Sequence, residues 1–204
     1  MIIGPKYKIC KRLGSSVFEK CQTQKYQLAE ARSPRRTARP KRGGGTDFGA
    51  QLLEKQKARF TYGLSESQFA RYVHEAMERK GKVSTEELMN RLEARLDNVV
   101  FRAGFVKTRR AARQLVSHAH VTVNGIRMSI PSHKVEVGDT ISIREGSKQS
   151  PLFANRAEVV AEIKTPAWMT LSSDGFTATI ASTPAVAETE APFNAATIIQ
   201  FYSR

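Results

Sequence analysis

From Asp47 onward the apolar positions recur at intervals of three and four. Phe48, Leu52 and Gln56 stand four apart, and "EKQKAR" supplies strong helix formers, which predicts a helix. "YGLSESQFARYVHEAMERKG" restarts one, with Ser65 as N-cap, Gln68 three residues on, Phe69, Val73 and Met77 on one face, and Gly81 as its end. "STEELMNRLEARLDNVVFRAG" places Leu88, Leu92, Leu96, Val99, Val100 and Ala103 near one stripe, with Gly104 as C-terminal cap, and reads as one helix or two. In "KTRRAARQLVSHAHVTVNG", Thr108 caps a helix whose Ala112, Leu115, Val116 and Ala119 form an apolar side. Arg110, Arg113, Gln114 and Ser117 fall opposite. The period then changes to two: "HVTVNG" alternates into a turn at Asn124 and Gly125. "HKVEVGDTISIRE" gives two more alternating runs, Val135/Val137 and Ile141/Ile143, hinged at Gly138 and Asp139. A helix pair against a small antiparallel sheet is the prediction for residues 91–145.

Beyond Pro151, "LFANRAEVVAEI" reads as a short helix and "AWMTLSSDGFTATIA" as strand, turn and strand. "AATIIQFYSR" has the composition of a buried strand. The class is therefore α+β: a mainly helical body, residues 47–90 and 151–204, with a helix-pair and sheet module inserted at 91–150. Residues 1–46 lack periodicity and culminate in "RSPRRTARPKRGGG", where Pro34, Pro40 and three glycines oppose regular structure. This arm is expected to be mobile alone and ordered against a polyanion, which offsets the entropy of fixing it.

Charge narrows the partner. The chain carries 33 Lys and Arg against 19 Asp and Glu, a net +14, which favours nucleic acid or an anionic membrane. Residues 1–57 are net +10, 58–150 net +6 and 151–204 net −2, so the cationic surface is expected at the N-terminus and in the middle. No run approaches the roughly 20 apolar residues of a spanning helix, and the N-terminus lacks a secretory h-region. A cytoplasmic protein is expected. Its two cysteines, Cys10 and Cys21, are expected to stay unpaired in a reducing compartment, and they lack partners at zinc-ligand spacing.

Enzyme chemistry finds little support. "RGGGTDFG" lacks the Lys of a phosphate loop, no serine sits in G-x-S-x-G, and His118 and His120 diverge if helical. Glu75 beside Arg79, and Glu93 near Arg95 and Asp97, read as solvated helix faces. The basic helix is a solvated face, a membrane anchor or a nucleic-acid reader. Arg109, Arg110 and Arg113 have no Asp or Glu interleaved, so their repulsion calls for an outside anion, and guanidinium forks suit phosphate. Interfacial membrane binding would want larger apolar residues opposite. RNA, recognised by shape and phosphate, is the favoured partner.

"RLEARLDNVVFRAGFVKTRRAARQLVSHAHVTVNGIRMSIPSHKVEVGD" resembles the RNA-binding module named after small-subunit ribosomal protein S four. "LLEKQKARFTYGLSESQF" before it and "IIQFYSR" at the end are similar to the bacterial-type ribosomal family itself. The resemblance implies a primary binder of 16S-type ribosomal RNA that nucleates assembly of the subunit body and contributes to decoding accuracy. It also implies contact with protein S five and proximity to the path by which messenger RNA enters. RNA-binding residues implied are Lys107, Arg109, Arg110, Arg113 and Gln114 on the basic helix, and Asn124 and Gly125 at the turn. Arg35, Arg36, Arg39, Lys41 and Arg42 in the arm, and Lys55 and Lys57 after it, complete the set. Many members hold zinc with four cysteines; here Leu13 and Tyr26 stand where two would be, which implies a zinc-free branch with no cofactor. "ASTPAVAETEAPFNAATIIQ" also departs from the family's more charged approach to its last strand. A stand-alone RNA-binding factor, or a fragment of an RNA-modifying enzyme using the same module, is the alternative.

Overall fold

The computed structural model describes residues 4–32, 46–79, 81, 83–154, 165–185 and 191–203. The chain is α+β and divides into two compact units, residues 1–85 with 187–204, and residues 86–186.

The first unit is helical. Helix α1 (Lys6–Leu13) ends at Gly14, whose left-handed φ of 64° turns the chain into a 3-10 turn at Glu19–Gln22, followed by α2 (Gln24–Arg32). Cys10 and Cys21 are joined in a disulfide, contrary to the unpaired state expected of them. The physical reason is the fold-back: α1 and the 3-10 turn bring their Cα atoms to 6.6 Å, and both side chains are buried with Phe18. Helix α3 (Asp47–Tyr62) is capped by Thr46 and closed by Gly63; helix α4 (Glu66–Glu78) is capped by Ser65 through Gln68 N–H, as expected. The buried face of α3 is Gln51, Lys55, Ala58 and Tyr62. Phe48 is exposed instead, its ring 5.5 Å from that of Phe201.

The chain end overturns the expected strand. Residues Ala195–Tyr202 form a helix, capped by Asn194 through Thr197 N–H, that packs on α3 and α4. Ala195 and Ile198 are its buried positions, three apart, and Tyr202 continues that stripe. A short β-branched run fits either period, and here the cap and the partner face decide.

The second unit holds the sheet. Helices α5 (Ser84–Glu93) and α6 (Leu96–Arg102) are two, broken where Arg95 adopts an extended backbone. The break is held by the passing segment 131–135: Leu96 N–H donates to His133 O, Asp97 N–H to Pro131 O, and Val135 N–H to Ala94 O. Helix α7 (Arg109–Ser117) leads into β1 (Val121–Val123), β2 (Ile126–Met128) and β3 (Thr140–Ile143), then a short α8 (Glu145–Lys148). Strands β4 (Met169–Leu171) and β5 (Thr177–Ile180) pair with each other and, through β5, with β3. The antiparallel order is β2-β1-β3-β5-β4.

Two expectations are corrected by this topology. The strands at 169–180 complete the module's sheet and do not belong with the helical body, because β3 offers β5 its free edge. Val135 and Val137 do not make a ladder strand: Val135 is buried, but Val137 is exposed and only Lys134 bridges, to Arg95. Of the expected helix after Pro151, a 3-10 turn at Pro151–Phe153 is observed and residues 155–164 lie outside the described set. One apolar core joins Leu96, Val99, Val100, Ala112, Val116, Val121, Ile141, Ile143, Trp168 and Ile180.

Candidate RNA-binding surface

The apolar side of α7 turns inward as its sequence requires: Ala112, Leu115 and Val116 are buried. The helix starts cleanly because Thr108 Oγ1 accepts from Ala111 N–H. What sets its arginines is α6. Asp97, 4% exposed, accepts from Arg113 Nη2 at 2.7 Å and Nε at 2.9 Å, and also from Arg95 Nη2 at 2.8 Å. Asn98 Oδ1 accepts from Arg109 Nε at 2.8 Å, while the Arg109 guanidinium lies over Phe101, 4.4 Å from its centroid. Glu93, fully buried, accepts from Asn98 Nδ2 at 2.8 Å and from Arg102 Nε at 2.9 Å.

This network corrects the reading of Glu93, Arg95 and Asp97 as a solvated face. Burying a lone carboxylate is costly, and these survive because each is bonded on several sides by arginine or amide donors. It also corrects the argument that the α7 arginines need an outside anion. Asp97 supplies the compensating charge for Arg113 from the neighbouring helix, invisible to any count along α7 itself.

The α7 residues thus divide. Arg109 and Arg113 are half-buried and held by α6, whereas Arg110, Gln114 and Ser117 at i, i+4 and i+7 are exposed, with Lys107 exposed just before the helix. The outward row therefore loses Arg113. At the β1–β2 turn, Asn124 and Gly125 take positive φ of 51° and 80°. The Asn124 amide is an internal clamp: Nδ2 donates to Asp139 Oδ1 at 2.8 Å and Oδ1 accepts from Thr140 N–H at 2.9 Å.

Lys55 and Lys57 also turn inward on their own unit. Lys55 is 7% exposed, donates to Glu66 Oε1 at 2.7 Å, and places its ammonium 4.5 Å from the Phe201 ring centroid. Lys57 donates to Glu54, whose other oxygen accepts from Asn194 N–H. Lys55 fastens α3 to α4 and is poorly placed to meet an outside ligand, whereas Lys57 pairs within α3. Burial favours the neutral form of Glu66, but hydrogen bonds from Lys55, Tyr202 and Arg59 and the Lys55 charge outweigh it, so its carboxyl titrates below the usual range. Burial and the Glu66 charge push the Tyr202 hydroxyl well above the usual tyrosine range, so it remains a donor.

Arg35, Arg36, Arg39, Lys41 and Arg42 lie outside the described residues. Sequence reasoning passed over Lys8, Lys11 and Arg12, which are exposed on α1, and it passed over Arg102. Their signal was local charge alone. Among the described residues no group of three or more His, Cys, Asp or Glu could hold a metal. His118 and His120 come within 6.1 Å ring to ring, since the left-handed Ala119 ends the helix between them.

Comparison with known proteins agrees with this layout. A family model described as the S4 domain matches residues 94–141, and one described as the Ribosomal protein S4/S9 N-terminal domain matches residues 1–93. Small ribosomal subunit protein uS4 of Acetivibrio thermocellus is 39% identical, with 98% of each chain covered. The uS4 protein of Roseiflexus castenholzii is 42% identical over 99% of this chain and 98% of its own, and that of Delftia acidovorans 39% over the same shares. The chain belongs to the uS4 family. In this uS4-family chain the boundary between the two matched segments, 93/94, falls at the α5–α6 break. The S4-domain match ends inside β3, so β4 and β5 extend the sheet beyond it.

Proposed function

We infer that the protein is a non-enzymatic structural constituent of the small ribosomal subunit that binds ribosomal RNA. The single observation that carries this is the α7 edge: Lys107, Arg110 and Gln114 exposed on a helix whose remaining arginines are locked by Asp97 and Asn98. A rigid cationic edge of this kind docks on phosphates without first having to be ordered. Membership of the uS4 family, whose relatives are named as small-subunit ribosomal proteins, supports the reading. No described helix is long and apolar enough to cross a membrane.

The finer reading follows the family resemblance. The RNA is the 16S-type molecule, the protein acts early in assembly of the subunit body and contributes to translational accuracy, and its site of action is the ribosome of the cytoplasm. Contact with protein S five and with incoming messenger RNA belongs to the same proposal, as do the arm cations Arg35, Arg36, Arg39, Lys41 and Arg42. The test is a filter-binding titration of a 16S-type fragment across salt concentrations. Replacing Lys107 and Arg110 together by Ala is expected to lower the salt slope by roughly 0.7 to 0.9 for each phosphate no longer neutralised. An unchanged slope removes this edge from the RNA interface.

A further inference from the structure

Beside the first turn of α7, a cleft of about 440 Å³ opens between the segment Gly104–Thr108 and the turn Pro151–Ala154. Phe105, Val106, Ala111 and Phe153 line it, with Leu152 and Lys107 also on its wall. Its walls are firm. Phe105 and Phe153 are 3% and 5% exposed and belong to the main core, and the Phe153 ring stands edge-on to Phe176 at 5.9 Å. Leu152, by contrast, is 60% exposed. The volume is in the range of small-molecule sites, about 300 to 1,000 Å³.

The surroundings choose the occupant. Exposed Lys107 lines the cleft and exposed Arg110 follows within the same first turn, where the helix dipole adds positive charge. A purely apolar peptide segment gains nothing from those cations. An unstacked nucleotide combines a flat apolar base with an attached phosphate and uses both parts of the site. We propose that this cleft receives one unstacked nucleotide of the bound RNA, its base against the accessible Leu152 and Ala111 side chains over the firm floor of the cleft and its phosphate at Lys107. Irregular RNA is recognised largely through splayed-out bases received by protein side chains. The proposal rests on the RNA-binding function inferred above and gives it a nucleotide site.

The decisive variant is Ala111→Leu, which fills the cleft without changing charge and keeps a strong helix former on α7. Its melting temperature and far-ultraviolet circular dichroism establish that it folds; Leu152→Ser, at an exposed position, serves if it does not. The full-length protein is titrated with adenosine 5′-monophosphate, uridine 5′-monophosphate, adenosine and inorganic phosphate, followed by amide NMR shifts. A monophosphate is expected to move the signals of Gly104–Thr108 and Leu152–Ala154, and Ala111→Leu to abolish that response. The same variant is expected to weaken binding of a 16S-type fragment about three- to tenfold and to lower the salt slope by roughly 0.7 to 0.9, for the one phosphate held at Lys107. Equal shifts from inorganic phosphate alone, or unchanged RNA affinity in the filled variant, overturn the nucleotide site. Failure of the Lys107 and Arg110 double variant to change the salt slope, while Ala111→Leu still weakens binding, overturns the cationic edge and the phosphate contact at Lys107, and leaves only the base pocket of the cleft standing.

Discussion

At residue scale, Asp97 joins arginines from two directions. It bonds Arg95 and Arg113 while itself buried, so Asp97→Ala removes a carboxylate from a buried guanidinium network. Breaking one side of a buried pair costs about 3 to 5 kcal/mol, and urea denaturation is expected to show a loss in that range. Glu66 gives a pH signature. Its folded pKa lies below the unfolded one, so the stabilisation it contributes is fully present above the unfolded value and is lost as pH falls through the folded value. Thermal melts of wild type and Glu66→Gln should therefore converge towards acid pH and separate near neutrality. The acids Glu93 and Asp97 also mark the limit of reading residues from sequence. They stand one helical turn apart, the spacing of an ordinary wet face, and only the packing of α7 and segment 131–135 on α6 reveals that they are enclosed.

At the scale of elements, caps were legible because their chemistry is local. Ser65 and Thr108, read as caps from the sequence, each accept from the N–H three residues on, and so does Thr46, which the sequence reading did not single out. Thr108→Ala is expected to cost about 1 kcal/mol and to fray the start of α7, measured as lowered amide protection over Arg109–Arg113. The β1–β2 turn was equally legible, since Asn124 and Gly125 tolerate positive φ. The terminal helix was not: its eight residues suit strand or helix, and its place against α3 and α4 settles the matter. The Cys10–Cys21 bond likewise depends on a fold-back that spacing alone does not disclose. Thiol titration of the denatured protein is expected to find none before reduction and two after, and reduction should lower the melting temperature.

On the scale of the whole molecule, charge and topology separate. The net +10 of residues 1–57 exceeds the +6 of residues 58–150, so the arm is expected to hold the larger share of the electrostatic affinity. Replacing Arg35, Arg36, Arg39, Lys41 and Arg42 by Ala should therefore reduce the salt slope for RNA more than the Lys107 and Arg110 pair does; a smaller reduction would place the main phosphate contacts on α7. The sequence by itself determined the periods of α3 to α7 and of the strands at 121–123 and 140–143, the Ser65 and Thr108 caps, the turn at Asn124 and Gly125, the cationic balance that favours a polyanion and, through its motifs, the family. These depend on neighbours within a turn or a strand, or on composition. Only the tertiary structure decided which cations face outward. It turned Lys55 and Arg113 onto carboxylates of other helices, carried β4 and β5 onto the module's sheet, and opened the cleft beside α7. Each of those outcomes joins residues distant in the chain, and a side chain's charge is available to a ligand only after such internal partners have been satisfied.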